Sequence, residues 1–175
     1  MTNFLWARTL LTAYRYVPKV IKEIDNVIAE HALSSSGFNG SGFGKFSTLT
    51  QIGKIEKLMS LKERALFIKT YVDEIISKLS LVKQKLLSEI FFENKRITNV
   101  VKCGQFSPRT YYRRILESLH DFEENMNKSD YKEMDFKRDF KDNWIAKIQE
   151  TLLNKNTENK IENTSKKAVV YKKTA

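Results

Sequence analysis

Apolar residues recur at three- and four-residue steps along most of the chain, and that spacing admits little besides amphipathic helices. Leu10, Leu11, Tyr14, Val17, Ile21, Ile24 and Ile28 trace one stripe. Ile52, Ile55, Leu58, Met59, Ala65, Leu66, Ile68, Val72, Ile75, Ile76 and Leu79 trace a second, wider one. With two prolines and six glycines in 175 residues, few positions force a helix to stop. The fold class read from this pattern is all-α: a helical N-terminal part, a helix-turn-helix, and a C-terminal helix. A hydrophobic content of 41% is enough for a packed core.

The same pattern divides the chain. Residues 1–33 form an N-terminal helical segment in which Pro18 predicts a kink or two abutting helices. Residues 34–46 hold four of the six glycines and read as a flexible Gly/Ser linker. Within it, residues 34–44 lack the lysine and hydroxyl that close a phosphate-binding loop, and no strand precedes them, so the linker is assigned no chemistry. Residues 47–79 predict a long helix, or a pair dividing at Ser60, of a length that suits antiparallel pairing with the first segment. Residues 80–122 are read as a helix-turn-helix DNA-binding domain. It opens with a helix over 80–92 that Ser80 caps, with Leu81, Leu86, Leu87, Ile90 and Phe91 turned inward. In 123–153, Phe136, Phe140, Trp144, Ile148 and Leu152 recur every four residues and predict one amphipathic helix over about 135–153. Residues 154–175, with six lysines against two glutamates, read as a disordered basic tail.

A net charge of +10 and a pI near 9.6 point to an anionic partner, either nucleic acid or an acidic membrane surface. No apolar run approaches the roughly 20 residues of a membrane span. Arg8 and Arg15 follow Phe4, Leu5 and Trp6, which argues against a secretory signal, so a cytoplasmic protein with no membrane partner is expected. A single cysteine, Cys103, excludes a disulfide framework and a zinc cluster of paired thiolates. The histidines are His31 and His120 alone, and no carboxylate pair or metal spacing stands out. Neither an enzyme, a cofactor nor a metal site is expected.

The charge is concentrated. Residues 92–116 carry six bases (Lys95, Arg96, Lys102, Arg109, Arg113, Arg114) against one acid, Glu93. This net +5 is half of the chain's total. The stretch reads as a short helix over 96–103, closed by Gly104 and with Phe106 between the helices. A second helix opens at Ser107-Pro108, where Ser107 can cap and Pro108 suits the first helical position. Tyr111, Ile115, Leu119 and Phe122 mark its inward face, leaving Arg109, Thr110, Tyr112 and Arg113 outward near its start. That is the end a recognition helix inserts into a major groove. Arginine meets guanine edges bidentately, threonine meets either base type, and Tyr112 can reach a phosphate or stack. Arg114, Lys95, Arg96 and Lys102 are placed to neutralise phosphates.

The segment DEIISKLSLVKQKLLSEIFFENKRITNVVKCGQFSPRTYYRRILESL resembles region 4 of sigma-70-type factors. It is more closely similar to phage transcription activators of the ArpU and RinA kind, in which a short helix precedes a Ser-x-x-Thr-Tyr-Tyr-Arg-Arg-aliphatic recognition helix. Ser107, Thr110, Tyr111, Tyr112, Arg113, Arg114 and Ile115 match in order, and the resemblance spans about residues 72–122. It implies a sequence-specific double-stranded-DNA-binding regulator acting at promoters, with RNA polymerase core as partner. Whether such a chain is an activator or a small divergent sigma factor stays open, as does its oligomeric state. The alternative, from another class, is a helical scaffold or adaptor that binds a protein partner through its long amphipathic helices.

Overall fold

A computed structural model describes residues 4–36, 48–95, 107–140 and 144–154. The protein is all-α, with no strand among the described residues. Two long helices, α1 (Leu5–Ser36) and α2 (Thr48–Ser77), frame it. Pro18 does not divide α1. It lies on the exposed side, where water can reach the Tyr14 carbonyl that lacks its usual N–H donor. Ser60 likewise leaves α2 unbroken. The linker expected over 34–46 begins as the last turn of α1, and its residues from 37 onward lie outside the described ones.

The two helices run antiparallel. Lys62 Nζ meets Asp25 Oδ1 at 2.6 Å, and the Tyr14 hydroxyl donates to Asp73 Oδ1 at 2.7 Å. Stepping from Asp25 back to Tyr14 therefore carries the partner forward from Lys62 to Asp73 by an equal interval. Burial is confined to one end of this hairpin. Trp6, Ala7, Leu10, Leu11, Ala13 and Val17 of α1 and Ala65, Ile68, Tyr71, Val72 and Ile75 of α2 all belong to the core. Beyond Ile24, and before Ala65, no hydrophobic residue of either helix is buried among the described residues. The rest of the hairpin extends past the core as a two-helix arm.

The wide stripe read along α2 resolves into two opposite faces. Ala65, Ile68, Val72 and Ile75 point into the core, while Ile52, Met59 and Leu66 are exposed at 47%, 52% and 42%. At 100° per residue, Met59 lies about 180° from Ile68, so these residues cannot share an inward face.

Helix α3 (Leu81–Leu87) continues as a wide π-helical turn over Ser88–Phe92. Ser80 occupies the N-cap position, although its side chain makes no cap hydrogen bond. Leu81 was expected inward but is 81% exposed. It lies most of half a turn round the helix from Leu86 and Leu87, which are buried. In the π turn the Glu93 N–H bonds to the Ser88 carbonyl at 3.0 Å. The wider winding lets Ile90, Phe91 and Phe92 all pack partly against the core. Asn94 then adopts a left-handed φ of 53°, which asparagine tolerates better than most residues. The chain turns there and Lys95 N–H closes on the Glu89 carbonyl at 3.0 Å.

Helix α4 (Pro108–Lys128) runs past the boundary read at residue 122, because Met126, 1% exposed, extends the stripe of Tyr111, Ile115, Leu119 and Phe122 by one more four-residue step. The single helix expected over 135–153 is instead two, α5 (Glu133–Asp139) and α6 (144–154). The reason is register. Phe136, Phe140 and Ile145 are buried, whereas a continuous helix aligned on Phe136 and Phe140 would bury Trp144, which is only partly covered. One core cluster draws residues from α1 through α6, so the hairpin base, α4 and the C-terminal helices share an interior. Tyr71 ties them by polar bonds as well, pairing with Ser129 Oγ at 2.8 Å and donating to the Tyr131 carbonyl at 2.9 Å.

Two core-facing tyrosines make stability pH-dependent. Burial, then the adjoining carboxylate of Asp73, pushes Tyr14 up from 10.0 to about 12. Burial and Glu89 push Tyr111 up to about 12. Each raised group holds its proton better folded than unfolded, so its contribution is whole below pH 10.0 and disappears as pH rises through about 12. Chemical denaturation at stepped alkaline pH should show stability falling across that window. In Tyr14→Phe the fall should be shallower, from a lower starting stability. An unchanged alkaline slope in Tyr14→Phe would contradict this assignment.

Candidate functional site

The exposed start of α4 gathers most of the described residues singled out in the sequence. Ser107 precedes the helix in extended conformation and its Oγ accepts from the Thr110 N–H at 3.3 Å; Pro108 takes the first helical position. The Tyr111 N–H bonds to the Ser107 carbonyl at 3.0 Å. Ser107→Ala should therefore cost about 1 kcal/mol of stability, measurable by urea unfolding. A change under about 0.3 kcal/mol would mean that water replaces the hydroxyl at this cap.

Inward, Tyr111 and Ile115 are each 6% exposed, Leu119 1% and Phe122 0%. The Tyr111 hydroxyl reaches Glu89 Oε2 at 3.5 Å and so connects the π turn to α4. This buried side fixes the rotation of α4 and hence which residues face out.

Outward, Arg109, Tyr112 and Arg113 are exposed, Tyr112 at 54%. Arg113 keeps 72% of its side chain accessible while its Nε lies 3.4 Å from Glu117 Oε1. Thr110 lies beside them and is partly exposed. Its Oγ1 pairs with Ser107 Oγ at 3.0 Å, so the hydroxyl is engaged in the cap rather than free on the surface. Arg114 is half-buried and engaged in contacts of its own. Lys95 is exposed and pairs with Glu93 at 2.6 Å. Arg96 and Lys102, with the short helix expected over 96–103, lie outside the described residues.

The sequence pattern did not single out Leu116, 53% exposed and one helical turn beyond Arg113 and Tyr112 on the same face. Its signal was present in the spacing, because Leu116 falls outside the Tyr111-Ile115-Leu119 series. Acidic residues begin just below it: Glu117, Asp121, Glu123 and Glu124 occupy the second half of α4. The helix is thus cationic at its N-terminal end, where its dipole is also positive, and anionic towards its C-terminal end. Such an end can attract a polyanion, and its guanidinium groups can grip planar pairs of acceptors bidentately.

Among the described residues no group of acids, histidines or cysteines could hold a metal ion. No helix among them is long and apolar enough to cross a membrane. Compared with protein-family models, curated proteins and solved structures, the chain finds no significant match.

Proposed function

We propose that this protein is a sequence-specific, double-stranded-DNA-binding transcription regulator that reads the major groove with the first turns of α4. The observation that carries the proposal is the solvent-facing set of Arg109, Tyr112 and Arg113 at the capped, dipole-positive start of an otherwise well-anchored helix. Arg109 and Arg113 are the base-reading candidates, Tyr112 and Leu116 can meet a phosphate or a thymine methyl, and Arg114 and Lys95 supply phosphate contacts. Thr110 acts first as a cap partner. The helix-turn-helix arrangement and its phosphate contacts from Arg96 and Lys102 rest on the turn residues and charge of the sequence, and RNA polymerase core as partner rests on the resemblance to sigma-70 region 4 and to the phage activators.

Repeated selection of bound duplexes from a random pool tests the reading directly. A common motif should emerge, and affinity for it should fall linearly on a log–log plot against salt, with a slope of about −0.9 per phosphate neutralised. Failure to enrich any motif, together with equal affinity for single-stranded and duplex competitors, would sink the reading.

A further inference from the structure

One face of α2 carries an apolar row, running from the arm into the base of the hairpin, that nothing among the described residues covers. Ile52, Met59 and Leu66 stand at strict seven-residue intervals on the side of α2 turned away from the core, and each is more than 40% exposed. Single exposed apolar residues are ordinary, but a heptad row on one helix face is the signature of a seam between helices.

The flanks of the row indicate what fits it. Four residues after Ile52 and Met59 come Glu56 and Glu63, both exposed, on one side. Three residues after Met59 and Leu66 come Lys62 and Lys69 on the other side. Lys62 also reaches Asp25 of α1, and Lys69 is exposed. One flank is therefore acidic and the other basic, so the surface is self-complementary under one symmetry and not another. A two-fold axis parallel to α2 lays the acidic flank of one copy against the basic flank of the other. It also sets Ile52, Met59 and Leu66 each against its own counterpart. A two-fold axis across the helices would bring acidic flank to acidic flank and basic to basic, and would pair Ile52 with Leu66.

From this we infer that the chain forms a two-fold homodimer through parallel, in-register packing of α2 against α2 of a second copy. The row spans two heptads, about 21 Å of helix, so the contact is small and the dimer is of the weak, reversible kind. The inference stands independently of the DNA-binding reading, because it uses none of the α4 residues on which that reading rests.

Sedimentation equilibrium of the full chain at roughly 200 µM, well above the micromolar range such contacts reach, should give twice the 20.5 kDa monomer mass. Met59→Glu, at a solvent-exposed position, should return the mass to that of the monomer with an unchanged far-ultraviolet spectrum. In a Cys103→Ser background, Ile52→Cys and Leu66→Cys should each form a disulfide-linked homodimer under mild oxidation. A wild type that stays monomeric, or a dimer indifferent to Met59→Glu, would overturn the proposal. Cross-links that form only between Ile52→Cys and Leu66→Cys chains would overturn its parallel form.

Discussion

Replacing Phe136 with alanine should lower the free energy of unfolding by about 3–5 kcal/mol, the range for emptying a fully buried aromatic site. Phe136 is 0% exposed on a helix of seven residues that is too short to persist alone. Its ring lies 4.6 Å from that of Tyr131, 4.9 Å from Tyr71, 5.6 Å from Trp6 and 5.7 Å from Phe140, mostly edge to face. Those rings come from α1, α2 and the C-terminal region, so the residue joins α5 to the base of the hairpin. Polar bonds alone cannot hold that junction. The Tyr131 hydroxyl donates to Asp139 in a partly buried bond, and Arg64 Nη1 reaches the Asp139 carbonyl at 3.3 Å, but that second contact is exposed to water and adds little. Urea unfolding followed by circular dichroism and by tryptophan fluorescence should give one shared midpoint, shifted down. A loss under about 1 kcal/mol would show that α5 adds little to the core.

Replacing Arg113 with alanine should cost about 1–3 kcal/mol at the selected duplex, roughly 5- to 150-fold in Kd, and relax the preference at one base pair. The effect on random duplex should be smaller, because a base-edge contact is lost there only in part. Folding should be unaffected, since the side chain is 72% accessible and Glu117, which it approaches, is itself 53% accessible. Two controls separate recognition from bulk charge. Arg138→Ala removes the same charge from an exposed site on α5 and should leave the discrimination between selected and random duplex intact. Glu117→Gln removes the acid beside Arg113 and should tighten binding to both duplexes. Equal losses at Arg113 and Arg138 would reduce the α4 surface to a non-specific cation.

Residues 107–126 show how far sequence can carry a structural reading. Ser107 and Pro108 set the start of α4 through hydrogen bonds and a fixed φ within three residues. Tyr111, Ile115, Leu119 and Phe122 set its rotation through spacing alone. The outward position of Arg109, Tyr112 and Arg113 follows from those two facts. A threonine three residues after a serine cap can turn to that serine or to solvent, and periodicity does not distinguish the two; the Thr110 hydroxyl lies on Ser107. Leu81 was misplaced for a related reason: hydrophobic character indicates that a residue can be buried, not that a neighbour is there to bury it.

The C-terminal region shows the other limit. A four-residue recurrence from Phe136 to Leu152 predicts one straight helix, and the core instead accepts Phe136, Phe140 and Ile145 in two. The α2 stripe failed in the same way. Its apolar residues are all present, yet Ile68 and Met59 lie on opposite faces, and only the position of α1 and α4 decides which of them meets the core.

The sequence by itself determined the all-α class, the two long helices and the cap of α4, because helix formation depends on bonds and contacts no more than about four residues apart. It also determined the rotation of α4 and the clustering of cations at its start. The antiparallel register of α1 on α2, the uncovered arm and the junction at Phe136 were decided only by the tertiary structure. Each depends on which distant surface arrives to exclude water, and neither spacing nor composition records that.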